Sequence, residues 1–313
     1  MSDYLWDRSG PRDEEIERLE HTLAPLRYRR PLERQRLSPA RSVPRQYVAM
    51  AASVVLGILA WQLQPGQPAQ RTSWLVSDSG KHLVAGQRLT TGNTSVTLEA
   101  EDFGEVQVEP HSDLSVLESR AGRQRMTLER GGLHALIWAP PRQFVVETPS
   151  ARAIDLGCEY NLTVDASGNG FVTVEIGWVA FQFRKDESFI PAGAACRTSK
   201  RTGPGIPYFQ DAPAAFTTAL AEFESDGDEG ALARVIAEAR PKDGLSLWHL
   251  LSRVTGQQRR QVFDRFAHLV ALPAEVKADR VLAGDPHMLD LCWNALGLDD
   301  ADWWREWKRE WKP

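Results

Sequence analysis

The sequence of 313 residues has few of the residues that most catalytic and metal-binding sites need. Three cysteines (Cys158, Cys196 and Cys292) are too few for a zinc ribbon or a disulfide framework. Seven histidines are scattered, without an HExxH pair. The nucleophile elbow G-x-S-x-G and the glycine-rich phosphate loops are missing as well. We therefore expect no enzymatic activity, no cofactor and no bound metal.

An excess of positive charge is also lacking, since 37 basic residues face 42 acidic ones and the formal net charge is −5. Such a chain does not bind nucleic acid through overall basicity, and we expect no nucleic-acid partner. Within the chain, however, positive charge is concentrated before residue 46. One acid, Glu33, stands among seven arginines there: Arg27, Arg29, Arg30, Arg34, Arg36, Arg41 and Arg45.

Residues 46–64, QYVAMAASVVLGILAWQLQ, form a run of 19 residues without a charge. A helix of about 20 apolar residues spans a bilayer, so this run predicts a single transmembrane helix. Because the arginines precede it, the positive-inside rule places residues 1–45 in the cytoplasm and the rest across the membrane. A buried core helix is the alternative interpretation of the same run.

The cytoplasmic segment contains one amphipathic pattern, in which Ile16, Leu19, Leu23 and Leu26 recur at spacings of three and four. This spacing predicts one apolar stripe on a helix, which so short a segment cannot bury by itself. We expect the stripe to bind a cytoplasmic protein, and a disordered tail with a nascent helix is the alternative. Prolines at 31, 39 and 44 mark a linker between this helix and the membrane.

Beyond a linker that starts at residue 65, apolar residues alternate with polar ones. Val96 and Leu98 form one such pair, and Val172, Val174 and Ile176 are predicted to share one face of a strand. The run Asp165–Gly170 between two strands is typical of a hairpin loop. About ten antiparallel strands are expected, which predicts an all-β sandwich or roll.

Four motifs follow one another in this region: QFVVETP at 143–149, IDLGCEYNL at 154–162, VEIGWV at 174–179 and IPAG at 190–193. In that order they resemble the FecR family of membrane-bound regulators, over roughly residues 90–200. The resemblance implies a periplasmic β domain, a bacterial inner-membrane location and an alternative sigma factor as the cytoplasmic partner. The motif glycines Gly157, Gly177 and Gly193 are expected at turns. The family's usual C-terminal module has no counterpart here.

Cys158 stands where the FecR family usually has threonine, and Cys196 follows the closing-turn glycine by three residues. In an oxidising periplasm these two cysteines are candidates for a disulfide, with Cys292 free. Two buried free thiols are the alternative.

From residue 214 onward the pattern becomes helical, with several apolar stripes separated by glycines, which predicts an α-helical bundle. Asp285-Pro286 is typical of the start of a helix. Near the C-terminus, Trp303, Trp307 and Trp311 are spaced by four and share one helical face. They are predicted to close the bundle, to contact a partner such as a cell-wall polymer, or to touch a membrane interface.

The sequence thus predicts a multi-domain chain with a single transmembrane helix, an all-β domain and a C-terminal helical domain. Its predicted segments are a cytoplasmic helix and linker (1–45), a transmembrane helix (46–64), a linker with first strands (65–89), a FecR-like β domain (90–205) and a helical domain (206–313). The expected function is transmission of a signal, from an extracytoplasmic ligand or protein, to a cytoplasmic transcription regulator. A membrane-anchored envelope scaffold or binding protein is the alternative.

Overall fold

The computed structural model describes residues 72–184 and 186–298, all within one compact unit that spans residues 66–313. The predicted cytoplasmic segment 1–45 and the predicted membrane span 46–64 lie outside the described residues. None of the described helices combines the length and the hydropathy that a bilayer span requires.

Sixteen β-strands make up the first part of the described chain. In chain order they are β1 Trp74–Val76, β2 Lys81–Leu83, β3 Arg88–Thr90, β4 Val96–Ala100, β5 Gly104–Val108, β6 Asp113–Arg120, β7 Arg123–Ile137, β8 Phe144–Glu147, β9 Arg152–Asp155, β10 Glu159–Val164, β11 Gly170–Ile176, β12 Trp178–Phe183, β13 Asp186–Pro191, β14 Ala194–Ser199, β15 Gly203–Pro204 and β16 Tyr208–Phe209.

These strands form two sheets that share the long strand β7. Sheet A has the order β13-β12-β9-β8-β7-β6-β3, and sheet B the order β2-β1-β4-β5-β7-β10-β11-β14, with β15 and β16 both paired to β14. All pairings are antiparallel except that of β7 with β8. The predicted antiparallel β region is therefore confirmed, and the predicted hairpin between β10 and β11 forms around the loop at 165–169.

Strand β7 passes from one sheet to the other at Gly131 and Gly132. Before the glycines the even-numbered residues, such as Met126 and Leu128, face the core, and after them the odd-numbered residues, such as Leu133, do so. Gly131 has a φ of +93°, and a Cβ there would collide with Ser112. The buried Ser112 hydroxyl accepts a hydrogen bond from Gly132 N–H at 2.9 Å and lies 3.1 Å from the Gly132 carbonyl oxygen.

The second part of the described chain is helical, which confirms a C-terminal helical region. Its helices are α1 Ala214–Asp226, α2 Glu229–Glu238, α3 Gly244–Arg253, α4 Gly256–Leu269, α5 Ala278–Leu282 and α6 Pro286–Asn294, with a 3₁₀ turn at Pro241–Asp243. Helix α6 begins as the sequence indicates: Pro286 is its first residue and the Asp285 carboxylate accepts hydrogen bonds from the next two backbone N–H groups.

Helix α3 attaches the helical region to the sheets through hydrogen bonds. The buried His249 ring accepts the Phe189 N–H through Nε2 at 3.2 Å, while its Nδ1 lies 2.9 Å from the Leu245 carbonyl oxygen. Ser246 donates to the Pro207 carbonyl at 2.7 Å. Buried side chains of both sheets and of the helices belong to one continuous core. The predicted division into separate domains at residue 206 stays a prediction.

An aromatic cluster completes this attachment. Trp178, from the VEIGWV motif, lies 5.8 Å from Trp293 of α6 between ring centroids, and Trp248 of α3 meets the same indole at 4.7 Å. Trp293 is fully buried. Because aromatic rings bury a large area in a fixed geometry, this contact fixes α6 against β12.

The three motif glycines all have positive φ: +86° at Gly157, +71° at Gly177 and +77° at Gly193. Their surroundings differ, however. A Cβ on Gly157 would meet no atom within 4 Å, whereas a Cβ on Gly177 would collide with the backbone oxygen of Gly157. Gly177 therefore needs both the left-handed backbone and the missing side chain.

This difference predicts unequal costs for two alanine substitutions. Gly157→Ala should lower the free energy of unfolding by about 1–2 kcal/mol, the cost of placing an L-residue in the left-handed region. Gly177→Ala should cost about 2 kcal/mol more, because overpacking against backbone is added to that strain. Urea unfolding of the full chain, followed by tryptophan fluorescence, measures both values. Equal losses for the two variants would contradict the close approach.

Candidate functional site

Two predicted sites cannot be compared with the structure. The stripe of Ile16, Leu19, Leu23 and Leu26 and the tryptophans Trp303, Trp307 and Trp311 lie outside the described residues. Both stay predictions.

The predicted disulfide between Cys158 and Cys196 is not present, and all three cysteines are buried free thiols. Cys196 lies opposite Val172 on β11, and Val172 lies opposite Leu162 on β10, four residues from Cys158. Two strand spacings and four residues of rise separate the two Cα atoms by about 16 Å, whereas a disulfide needs less than about 7 Å. The alternative of buried thiols is thus the one that the structure contains.

Cys158 instead contacts an aspartate in the core. Its thiol donates to Oδ2 of Asp155 at 2.5 Å, and the other carboxylate oxygen accepts the Gly157 N–H at 2.7 Å. Burial raises the pKa of Asp155 to about 7, and burial, together with this carboxylate, raises the pKa of the Cys158 thiol well above its usual value. Asp155 is 1% exposed, so the group fixes the turn before β10 and does not face solvent.

The described residues contain a cleft where sheet B meets helix α1. It has a volume of about 560 Å³ and is bounded by β14 and β15, by the β10–β11 hairpin and by the helix. Its polar lining comes from both sides, with Arg197, Thr198 and Arg201 from the sheet side and Glu224 and Ser225 from the helix. A molecule in this cleft would therefore touch both parts of the fold.

Arg197 is held at the cleft by two aromatic rings. It lies opposite Phe171 in the β11–β14 ladder, with its guanidinium carbon 5.8 Å from the centre of that ring. The same carbon is 5.2 Å from the centre of the Tyr208 ring on β16. Cation–π contacts of this kind hold a guanidinium in place and leave its N–H groups able to donate to a ligand.

More positive charge follows Arg197 along the chain. Arg201 donates to the Ser225 carbonyl oxygen of α1 at 2.9 Å and so connects the strand side of the cleft to the helix. Lys200 lies against Gly168 of the hairpin: a Cβ added to Gly168 would be 2.6 Å from Cε of Lys200. Arg197 and Arg201 thus line one side of the cleft, and Lys200, which stands between them in the sequence, lies against the hairpin.

Two acidic residues, Asp165 and Glu224, line the cleft. The Asp165 carboxylate accepts hydrogen bonds from the Ser167 and Asn169 N–H groups within the hairpin loop, whereas Glu224 holds α1 against the strand side. Its Oε1 accepts a hydrogen bond from the Ile206 N–H, and it contacts Gly205, where a Cβ would come within 2.5 Å of the same oxygen. Burial raises the pKa of Glu224 to about 7, while the Ile206 hydrogen bond and the charges of Arg197 and Arg253 act in the opposite direction.

Neither Arg197 nor Glu224 was identified from the sequence. A signal for Glu224 was present, because it occupies the position four residues after Leu220 in the stripe Phe216–Leu220 that α1 buries. A carboxylate in the buried stripe of a helix marks a specific contact. Arg197 carries no such signal, since it alternates with buried neighbours as an ordinary outward strand residue does.

Comparisons with known proteins give little further information. No protein-family model and no curated protein matches the chain. Two crystal structures of a "putative anti-sigma factor" from Parabacteroides distasonis ATCC 8503 match it at 16% identity, with a TM-score of 0.35. The match covers 42% of this chain and 63% of that chain, so this chain spans less than two thirds of the crystallised protein. A match this distant carries no argument about function.

The position of Glu224 predicts a pH-dependent stability. Between the ordinary value of about 4.5 and about 7, the folded protein holds a proton that the unfolded chain has released, so raising the pH destabilises the fold. Glu224→Gln keeps an oxygen for the Ile206 N–H but removes the buried charge. The variant should match the wild type near pH 5 and exceed it by about 1–3 kcal/mol at pH 8.

The measurement is chemical denaturation of both proteins at the two pH values. Arg197, Arg253, Cys196 and Tyr208 are the titratable or charged groups that act on Glu224, and the substitution leaves all four unchanged. Glu238→Gln, at an exposed position of α2, is the matched control and should show the same difference at both pH values. A difference for Glu224→Gln that does not change with pH would show that its carboxylate is not desolvated.

Proposed function

We propose that this chain is a membrane-anchored regulatory protein that binds a small anionic ligand in the cleft between sheet B and α1. Binding of this ligand changes how residues 1–45 contact a cytoplasmic transcription regulator. The observation that carries the proposal is the composition of the cleft. Arg197, which lies against two aromatic rings, and Arg201 both line it opposite helix α1.

The ligand class follows from the donors that the cleft offers. Arg197 and Arg201 supply charged N–H groups, and Thr202 and Ser225, which carry hydroxyls, line the same cleft. Carboxylate and phosphate groups bind guanidinium through paired charge-assisted hydrogen bonds. Because Glu224 already accepts a backbone N–H and Arg201 already donates to α1, a ligand that competes for these contacts would shift the helix relative to the strands.

The cytoplasmic half of the proposal is supported by the sequence. The charge-free run at 46–64 after seven arginines supports a single span with its N-terminus inside, and so an inner-membrane location with residues 72–298 in the periplasm. The FecR-like motif order supports a sigma factor as the partner of the apolar stripe. In this proposal the chain acts by binding. The polar groups Glu224 and Arg201 of the cleft join α1 to the strands, so a bound ligand acts on that contact.

The stripe is where the regulatory proposal is most directly tested. Replacing both Leu19 and Leu23 with Asp puts two charges into the proposed interface, which should abolish cross-linking of the cytoplasmic partner and change the transcript profile of the cells. His21→Asp with Ala24→Asp adds the same charge on the opposite side of the predicted helix and should leave both readouts unchanged. Unchanged cross-linking and transcripts in the leucine variant would favour an anchored scaffold.

The cleft is tested separately by Arg197→Gln, which removes the charge while Phe171 and Tyr208 remain. We expect this variant to change the same transcripts as the leucine variant, since the ligand would no longer be held. Arg123→Gln, an exposed arginine of β7 in sheet A, is the matched control and should leave the profile as in wild type. If the transcript profile changes in the leucine variant alone, the proposed cytoplasmic contact is supported and the cleft is ruled out as the sensing site.

A further inference from the structure

Three potential metal ligands meet on the outer face of sheet B, on three neighbouring strands. His134 is on β7, Glu159 begins β10 and Glu175 lies near the end of β11. His134 Nε2 is 3.2 Å from Glu159 Oε1. Each residue offers one ligand atom, and these three atoms lie within 4.8 Å of one another.

An irregularity in the β10–β11 pairing places Glu175 in this group. Glu159 pairs with Ile176, but the next residue, Tyr160, pairs with Val174, so Glu175 is an extra residue in β11. A bulge of this kind re-aims side chains. Here it turns Glu175 and Ile176 outward together, and Ile176 is 60% exposed although its predicted place was beside the buried Val174. The prediction that Val172, Val174 and Ile176 share one face is therefore wrong at Ile176.

A neighbouring amide holds Glu175 toward the other two residues. Asn161 Nδ2 donates to Glu175 Oε1 at 2.8 Å, and Asn161 lies opposite His134 in the β7–β10 ladder. Metal-binding carboxylates are commonly oriented by such a second hydrogen bond. Glu175 keeps its other carboxylate oxygen for a ligand role.

Charge on this face favours a cation. The His134 ring is the partner of Glu159 and carries at most one positive charge, against the two carboxylates of Glu159 and Glu175. Glu105 adds a third carboxylate nearby, because it lies opposite Leu136, which in turn lies opposite Glu159. A divalent ion would neutralise the charges of Glu159 and Glu175.

We propose that His134, Glu159 and Glu175 together bind one divalent transition-metal ion. Ligand atoms bound to a common Zn²⁺ at about 2.0–2.2 Å are about 3.5 Å apart, so small side-chain rotations from the present arrangement are enough. The imidazole favours Zn²⁺, Ni²⁺ or Cu²⁺ over Mg²⁺ and Ca²⁺, which prefer oxygen ligands alone. Three protein ligands leave a coordination position for water or for a donor from another molecule.

The test is calorimetric titration of the full chain with Zn²⁺, in detergent and after treatment with a chelator. We expect one site that persists in excess Mg²⁺, and at least tenfold weaker binding in His134→Ala and in Glu175→Gln. Glu105→Gln, on the same face but outside the ligand set, is the matched control and should weaken binding far less than either ligand variant, since it removes a nearby charge and no ligand atom. All variants should unfold as wild type does in chelator, since the substituted side chains are wholly or partly exposed.

A second measurement identifies the nitrogen ligand. Electron paramagnetic resonance of the Cu²⁺-loaded protein should show coupling to one imidazole nitrogen, and His134→Ala should remove it. Unchanged Zn²⁺ binding in His134→Ala would overturn the proposal, and so would a dissociation constant above about 100 μM, which corresponds to a binding free energy of about −5.5 kcal/mol. Either result would leave a plain hydrogen bond between His134 and Glu159.

Discussion

The bend of β7 against Ser112 is the constraint on which the rest of the structure depends. One strand can belong to both sheets because Gly131 adopts a positive φ. The bend also needs the missing side chains, since a Cβ on Gly131 would collide with Ser112 and a Cβ on Gly132 would collide with Glu109. The bend also reverses which residues face the core, from even to odd numbers. His134 faces outward as a consequence. The same two glycines therefore determine which β7 residues enter the core of sheet B and which lie on its outer face with the candidate metal ligands.

The helical region is fixed to this frame by a few specific polar contacts. His249 uses one ring nitrogen for Phe189 of β13, and Arg253 donates to the Pro204 carbonyl and to Ser188 at 3.0 Å each. Buried polar groups that are fully paired specify one arrangement, because any other arrangement leaves them without partners. Arg253 thus holds β15 at one border of the cleft, whereas α1 is held there by Glu224 and Arg201, and a ligand or a proton can alter the Glu224 contact.

Local features of this fold could be predicted from the sequence, and long-range ones could not. Alternation of apolar and polar residues predicted β4 and the β10–β11 hairpin, and Asp285-Pro286 predicted the start of α6. The cysteine pairing failed because it depends on the order of β10, β11 and β14 in the sheet, which no local pattern encodes. The prediction that Ile176 faces the core was wrong because a single extra residue in β11 shifts the side chains that follow it to the other face of the sheet.

The two candidate sites share the outer face of sheet B but are electrostatically separate. Along β11, Glu175 is four residues from Phe171, the residue opposite Arg197, which is about 13 Å at the rise of a strand. Charges in solvent are screened over about 8 Å at physiological ionic strength. A cation at His134 would therefore alter the cleft only slightly through its field. Any coupling between the two sites would have to travel through the β10–β11 ladder, whose bulge is next to Glu159 and whose hairpin loop lines the cleft.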